Sequence, residues 1–187
     1  ADNMTTMLQG SQVGPTPTFF FDYSVKDLRR DITCCPFQWT KGVQTLQSFK
    51  SWSFGKLRYE WTNRMIPTGN DDGINRQYMR YADIVLMRAE LENELNGASA
   101  AVPYLTKIRN RAFATSDRAT EVTAYVAEAA LSKEKMFQAI VDERAYEFAG
   151  ELIRKADLIR WGMLKSKMDE TKNKMKAIVS LTDYDSK

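Results

Sequence analysis

Histidine is absent from all 187 residues. That one absence excludes His-based catalytic triads, HExxH zinc sites and Glu-x-x-His di-iron helices. Cysteine is almost as scarce, with only Cys34 and Cys35, adjacent in the chain. Neighbours in sequence rarely bridge, and no CxxC motif occurs, so the pair reads as two ordinary thiols and not a redox couple. No stretch approaches the ~20 consecutive apolar residues of a membrane-spanning helix. The opening ADNMTTMLQG has neither a basic n-region nor an apolar core, so it does not read as a signal peptide. There is no P-loop, no G-x-G-x-x-G and no G-x-S-x-G, which leaves nucleotide phosphates without a cradle and serine without an elbow. Charge of one sign is also lacking. A formal net charge of +3 is too small to suggest a phosphate-binding surface, so nucleic acid is not an expected partner.

What is present suits one soluble domain with a real core, at 43% hydrophobic and 27% charged residues. Residues 1–77 form a loop-rich segment. Within it, Gly10, Gly14, Pro15 and Pro17 punctuate an irregular start, and Phe19, Phe20 and Phe21 make an apolar plug. Ser24 and Asp27 match a capping box and predict a short helix to about Arg30. Residues 32–61 are rich in Thr, Phe, Trp, Val and Tyr and predict extended segments or a small hairpin. Residues 62–77 read as a polar loop. Asn70, Asp72 and Gly73 hint at a calcium loop, but the positions that need carboxylates hold Thr68 and Met79. No metal or other cofactor is expected.

Residues 78–164 read as a helical scaffold. Residues 78–96 carry apolar positions on two faces, and Gly97 is placed to end that helix in a left-handed cap. A second helix is expected over 101–112, with Pro103 tolerable only near its first turn. The short link makes an antiparallel hairpin of tetratricopeptide-like size, although the W-x2-L-G-x2-Y signature is missing. A short helix is expected over 121–130. Ser132 caps the next one, and Gly150 marks a break. Residues 165–187 form a Lys-rich tail, read as a solvated helix fraying into a loop.

The densest chemistry lies in residues 142–162, DERAYEFAGELIRKADLIRWG. Glu143, Glu147 and Glu151 step by four, and Arg154, Asp157 and Arg160 step by three, so each set stacks on one helix face. Paired acids serve glycoside hydrolysis only when they flank a bond across a cleft. These acids share a face with Arg144, Arg154 and Arg160, and a neighbouring Arg lowers a carboxylate pKa, which suits an ion pair and not a general acid. A structural ion-pair network of Glu143, Arg144, Glu147, Glu151, Arg154, Asp157 and Arg160 is therefore expected, with no catalytic residue. Trp39, Trp52, Tyr59 and Trp61 cluster in the non-helical part. Flat rings with a polar edge suit sugar faces, so Trp39 and Trp52 are the candidate glycan contacts, with plain core packing as the alternative.

The pieces RYADIVLMRAELENELNG (80–97), LTKIRNRAF (105–113) and the 142–162 stretch together resemble the SusD/RagB family. The matching positions are Arg80, Tyr81, Ala82 and Asp83, then Ala89 and Glu90, then Ile108, Arg109, Arg111 and Ala112. The last block is Glu143, Arg144, Glu147, Glu151, Arg154, Asp157, Leu158, Arg160 and Trp161. Asp27 with Arg29, and the GKLRYEW stretch at 55–61, look like the family's D-x-R and K-x-R elements. Two positions depart: Thr106 stands where Asn is usual, and Leu152 where Gly is common. The resemblance implies a mainly α fold of tetratricopeptide-like helical hairpins with irregular loops. It also implies a surface-exposed outer-membrane lipoprotein that binds an oligosaccharide or other nutrient without catalysis and covers a SusC-type TonB-dependent transporter. Family members are longer, so the chain is expected to be a carboxy-proximal fragment whose lipid anchor lies outside it. A tetratricopeptide-like scaffold that binds only protein is the alternative.

Overall fold

The computed structural model describes residues 14–40, 43–48, 51–56 and 77–180, with the side chains of Trp39 and Thr40 excepted. In chain order its elements are α1 (Pro17–Asp22), α2 (Arg30–Thr33), β1 (Cys34–Cys35), β2 (Phe37–Thr40), β3 (Val43–Leu46) and β4 (Ser53–Phe54). There follow α3 (Tyr81–Asn96), α4 (Ala98–Ala112), a 3-10 turn (Thr115–Asp117), a π-helical turn (Ala119–Ala124), α5 (Tyr125–Ala129), α6 (Lys133–Phe148), α7 (Arg154–Arg160) and α8 (Leu164–Ser180). The fold is mainly α, as the residue pattern predicts. The chain divides into two compact units. One comprises Ser24–Arg29 with Arg76–Ala149, and the other holds the remaining residues.

The helical unit is built on α3, α4 and α6. The end of α4 lies beside the start of α3, where the Lys107 ammonium donates to the Tyr81 hydroxyl at 3.2 Å, so the two helices run antiparallel. A single residue joins them. Gly97 has φ 89° and ψ 169°, a region that essentially only glycine occupies. The expected left-handed cap is thus replaced by a sharper corner, and α4 starts at Ala98, three residues earlier than the sequence suggests. Pro103 consequently sits inside the helix, beyond its first turn. The Ser132 hydroxyl caps α6 by accepting from the Lys135 amide at 3.1 Å. Leu86, Leu105, Met136 and Ile140 are fully buried between these helices. Burying each such side chain contributes about 1.5–3 kcal/mol.

The Ser24–Arg29 segment does not form the expected helix. The Ser24 carbonyl accepts from the Asp27 amide at 3.0 Å, closing a turn. A capping box would send the Asp27 carboxylate back to the Ser24 amide. Here it accepts instead from the Arg29 amide (2.9 Å) and from the Arg29 guanidinium (2.9 and 2.6 Å). The freed backbone attaches to α4, with the Leu28 amide donating to the Ala112 carbonyl at 2.9 Å.

The other unit carries two small antiparallel ladders. β2 and β3 form a hairpin running from Phe37 opposite Leu46 to Thr40 opposite Val43, inside the 32–61 window. β1 pairs with β4, Cys34 opposite Phe54 and Cys35 opposite Ser53. The Phe19–Phe21 plug proves to be part of α1. Pro17 sits at the start of that helix, where its fixed φ and missing N–H are favourable, so it starts a helix and does not merely interrupt the chain. α1 packs on α8, where the Lys174 ammonium reaches Asp22 at 2.6 Å. α8 itself has no buried residue. The break expected near Gly150 is present: α6 ends at Phe148. Gly150 has φ 79°, and a Cβ there would meet Phe54 Cγ at 2.9 Å. The region of the considered calcium loop, and Tyr59 and Trp61, lie outside the described residues.

Candidate functional site

The helical unit carries a compact arginine–carboxylate cluster. α6 supplies Glu143 and Glu147, one turn apart on its inner face. The turn before α2 supplies Asp27 and Arg29, the residue preceding α3 is Arg80, and α4 supplies Arg109 and Arg111. Glu143 has a fully buried side chain. One of its oxygens accepts from Arg29 at 2.7 Å and the other from Arg109 at 2.8 Å. Glu147 accepts from Arg29 at 3.1 Å on one oxygen; on the other it accepts from Arg80 at 2.9 Å and also from Arg111. Arg29 therefore bridges the two acids while holding Asp27.

Burial penalises a lone charge, so each of these groups depends on its partners. For Arg29, burial favours losing the proton, but the Glu143 charge and the Asp27 hydrogen bond outweigh it, and its pKa lies above the ordinary value. For Glu147, burial pushes the carboxyl up, but the Arg80 hydrogen bond and the Arg111 charge hold it below the usual carboxylate range. A carboxyl held in that direction accepts hydrogen bonds and does not deliver protons at neutral pH.

Arg109 explains the π-helical turn. Its guanidinium is buried 3.7 Å from the Tyr125 ring centroid and 4.9 Å from that of Phe113. Its Nε and one terminal nitrogen both donate to the Glu121 carbonyl, at 2.9 and 2.6 Å. That carbonyl lies inside the π-turn, and insertion of a side chain into the backbone ladder is a usual origin of such turns. The stack also buries Tyr125, which pushes its hydroxyl up to about 12 despite the nearby Arg109 charge.

The sequence-predicted charged residues are distributed among several contacts. Glu143 and Glu147 share the cluster. Arg144, buried beside them, instead pairs with Asp83 of α3 at 2.7 Å and lies 5.1 Å from the Phe148 ring centroid. Glu151, Arg154, Asp157 and Arg160 lie in the other unit. There Glu151 pairs with Lys56 at 2.7 Å and Arg160 with Asp157 at 3.0 Å. Arg154 and Arg160 flank the Trp161 ring at 5.9 and 4.4 Å. Of the aromatic candidates, Trp52 is half-buried. Its indole N–H donates to the Gln47 carbonyl at 3.2 Å, and its ring meets Phe20 edge-on at 5.0 Å. Trp39 occupies β2 opposite Gln44.

A groove of about 430 Å3 opens at the start of α3 and the end of α4, lined by Met79, Arg80, Tyr81, Lys107, Ile108 and Arg111 among others. In the sequence, Asp27, Arg29, Arg80, Arg109 and Arg111 stand out only as motif positions. The signal for their shared role was the excess of arginine in those motifs over the acids adjacent to it. Lys107 carried no such signal. Among the described residues no group of His, Cys, Asp or Glu side chains is arranged to hold a metal, and no described helix is long and apolar enough to cross a membrane.

Comparison with known proteins bears on the same residues. The family model described as the SusD family matches residues 41–186. SusD-like protein P25 of Formosa agariphila is 48% identical over 90 residues, which cover 48% of this chain and 16% of that protein. SusD-like protein P2 of the same organism is 28% identical over 156 residues, 78% of this chain and 30% of that protein. The chain thus spans less than a third of the length of either relative. No solved structure gives a significant match.

Proposed function

The chain belongs to the SusD family, and on that premise we propose that it forms part of a nutrient-binding protein at the outer-membrane surface. It binds an oligosaccharide, or another nutrient of similar size, for uptake through a partner TonB-dependent transporter of the SusC type. In this reading the whole protein is held to the membrane by a lipid anchor, and the chain binds without catalysing. The observation that carries the reading is the family match over residues 41–186, which includes the charged register of α3, α4 and α6. The cluster geometry supports a division of labour. Glu143 and Glu147 are occupied by arginines, so the helical unit acts as scaffold. The aromatic surface around Trp52, with Trp39 in the neighbouring hairpin, takes the sugar.

Affinity electrophoresis tests this. The chain is run through gels that contain neutral or acidic polysaccharides and through gels without them. Retardation by at least one polysaccharide is expected, weakened by Trp52→Ala. Uniform migration in every gel would remove the reading.

A protein-binding scaffold is the second reading. It is favoured by the large apolar side chains that α3 leaves exposed, Tyr81, Ile84, Leu91 and Leu95. It predicts that Trp52→Ala changes no sugar binding, and that substitutions on this helix face abolish a protein contact.

A further inference from the structure

The described lining of the groove beside α3 and α4 carries charge of one sign. Among the described lining residues, Arg80, Lys107 and Arg111 contribute three cations, Gln77 and Tyr81 contribute neutral polar groups, and none is a carboxylate. The cations are not equally committed. Arg80 is directed inward, donating to the Glu147 carboxylate and to the Glu147 carbonyl at 3.0 Å. Arg111 shares that carboxylate oxygen, yet 58% of its side chain remains exposed. Among the described residues, Lys107 contacts the Tyr81 hydroxyl at 3.2 Å and the Tyr81 ring at 4.9 Å, and no acid. An ammonium has three donors and a guanidinium five, so both retain N–H groups for a ligand.

The remaining wall is apolar. Tyr81 is 68% exposed and Met79 61%. A flat, exposed ring beside two cations suits a ligand with an apolar face and an anionic edge. The volume of about 430 Å3 is that of a small-ligand site and accommodates roughly one or two sugar rings. The Glu147 oxygens that pair with the lining residues Arg80 and Arg111 also accept from Arg29, so that carboxylate is screened from an incoming anion.

We infer that this groove binds the carboxylate of an acidic saccharide, a uronate unit, with Lys107 and Arg111 on the carboxylate and Tyr81 against the ring. The inference rests on the nutrient-glycan reading and adds a second contact site, separate from Trp52. The full chain is titrated calorimetrically with trigalacturonate and with the matched neutral galactose trisaccharide, at low and at raised salt. The two ligands differ only in carboxylate against hydroxymethyl. The acidic ligand should bind about tenfold tighter, the effect of one charge-assisted hydrogen bond of about 1.5 kcal/mol. The preference should shrink with salt and fall in Lys107→Gln, whose exposed site does not threaten folding, with Arg111 supplying what remains. Tyr81→Ala should weaken both ligands. Equal affinity for the two ligands, or a preference undiminished in Lys107→Gln, would overturn the inference and leave the glycan reading standing. Failure of both ligands while another polysaccharide retards the chain would do the same. Failure of every saccharide in the gels would overturn both.

Discussion

Arg29 donates to Glu143 at 2.7 Å across 114 residues of sequence, and no water reaches the fully buried acid. The pair ties the turn before α2 to the inner face of α6. Replacing Glu143 with Gln removes the carboxylate that pairs with the buried Arg109 and one of the three that hold Arg29, which keeps Asp27 and Glu147. Such a loss typically costs about 3–5 kcal/mol. Urea denaturation of Glu143→Gln should show a destabilisation of that order. By contrast, Lys165→Ala, which breaks the exposed contact with Asp169, should change stability by less than about 1 kcal/mol. Equal effects would mean that the cluster does not hold the helical unit together.

Acid should weaken the fold through Glu147. Its carboxyl sits lower in the folded chain than the ordinary 4.5, with burial opposing and Arg80 and Arg111 prevailing. The unfolded chain therefore takes up the proton first as pH falls. The stabilisation is complete above the unfolded value and is lost as pH drops below about 4.5 towards the folded value. Melting temperatures measured from pH 7 to pH 3 should fall over that lower range, and Glu147→Gln should flatten the profile there. An unchanged profile in the variant would assign the acid response to other groups.

Leu152 occupies a left-handed backbone position, φ 65°, with its side chain 80% exposed. A non-glycine residue is strained there by about 1–2 kcal/mol. Glycine relieves the strain but widens the unfolded ensemble, at a cost of about 0.4–1 kcal/mol. Leu152→Gly should therefore stabilise by up to about 1.5 kcal/mol in a urea titration. Gly150→Ala should do the opposite, because φ is 79° and the new Cβ would crowd the Phe54 ring. A stabilising Gly150→Ala would contradict the geometry at this corner.

Cys34 is fully buried, and burial, with the nearby Asp31 charge, pushes its thiol up to about 12. Only the thiolate reacts readily. At pH 8 a thiol reagent should leave Cys34 unmodified in the native chain and label it promptly in denaturant, as mass spectrometry can locate. Rapid native labelling would show that this strand opens easily.

Much of the helical unit was legible because its signals are local. The two-faced apolar pattern of 78–96, the glycine at 97 and the serine at 132 each act within a turn or two. The misreadings came where a distant partner decided. Ser24 and Asp27 have the letters of a capping box, but Arg29 takes the Asp27 carboxylate and α4 takes the backbone. Pro17 looked like punctuation, although its ring suits the first turn of a helix. The charged stretch at 142–162 reads as one series in sequence, yet the end of α6 at Phe148 and the positive-φ Gly150 separate Glu147 from Glu151. The arginines that face Glu143 and Glu147 come from positions 29, 80, 109 and 111, and only the assembled fold brings them together. The groove of Tyr81, Lys107 and Arg111 had no sequence signature, since it depends on two antiparallel helices meeting end to start.

In the proposed function the aromatic surface binds a saccharide while the buried charges serve the scaffold. The most direct test is polysaccharide affinity electrophoresis of wild type, Trp52→Ala and Glu143→Gln, run below the melting temperature of each with folding checked by circular dichroism. Glu143→Gln should be retarded like wild type, and Trp52→Ala should be retarded less. Normal retardation of Trp52→Ala together with loss in folded Glu143→Gln would contradict the proposed function.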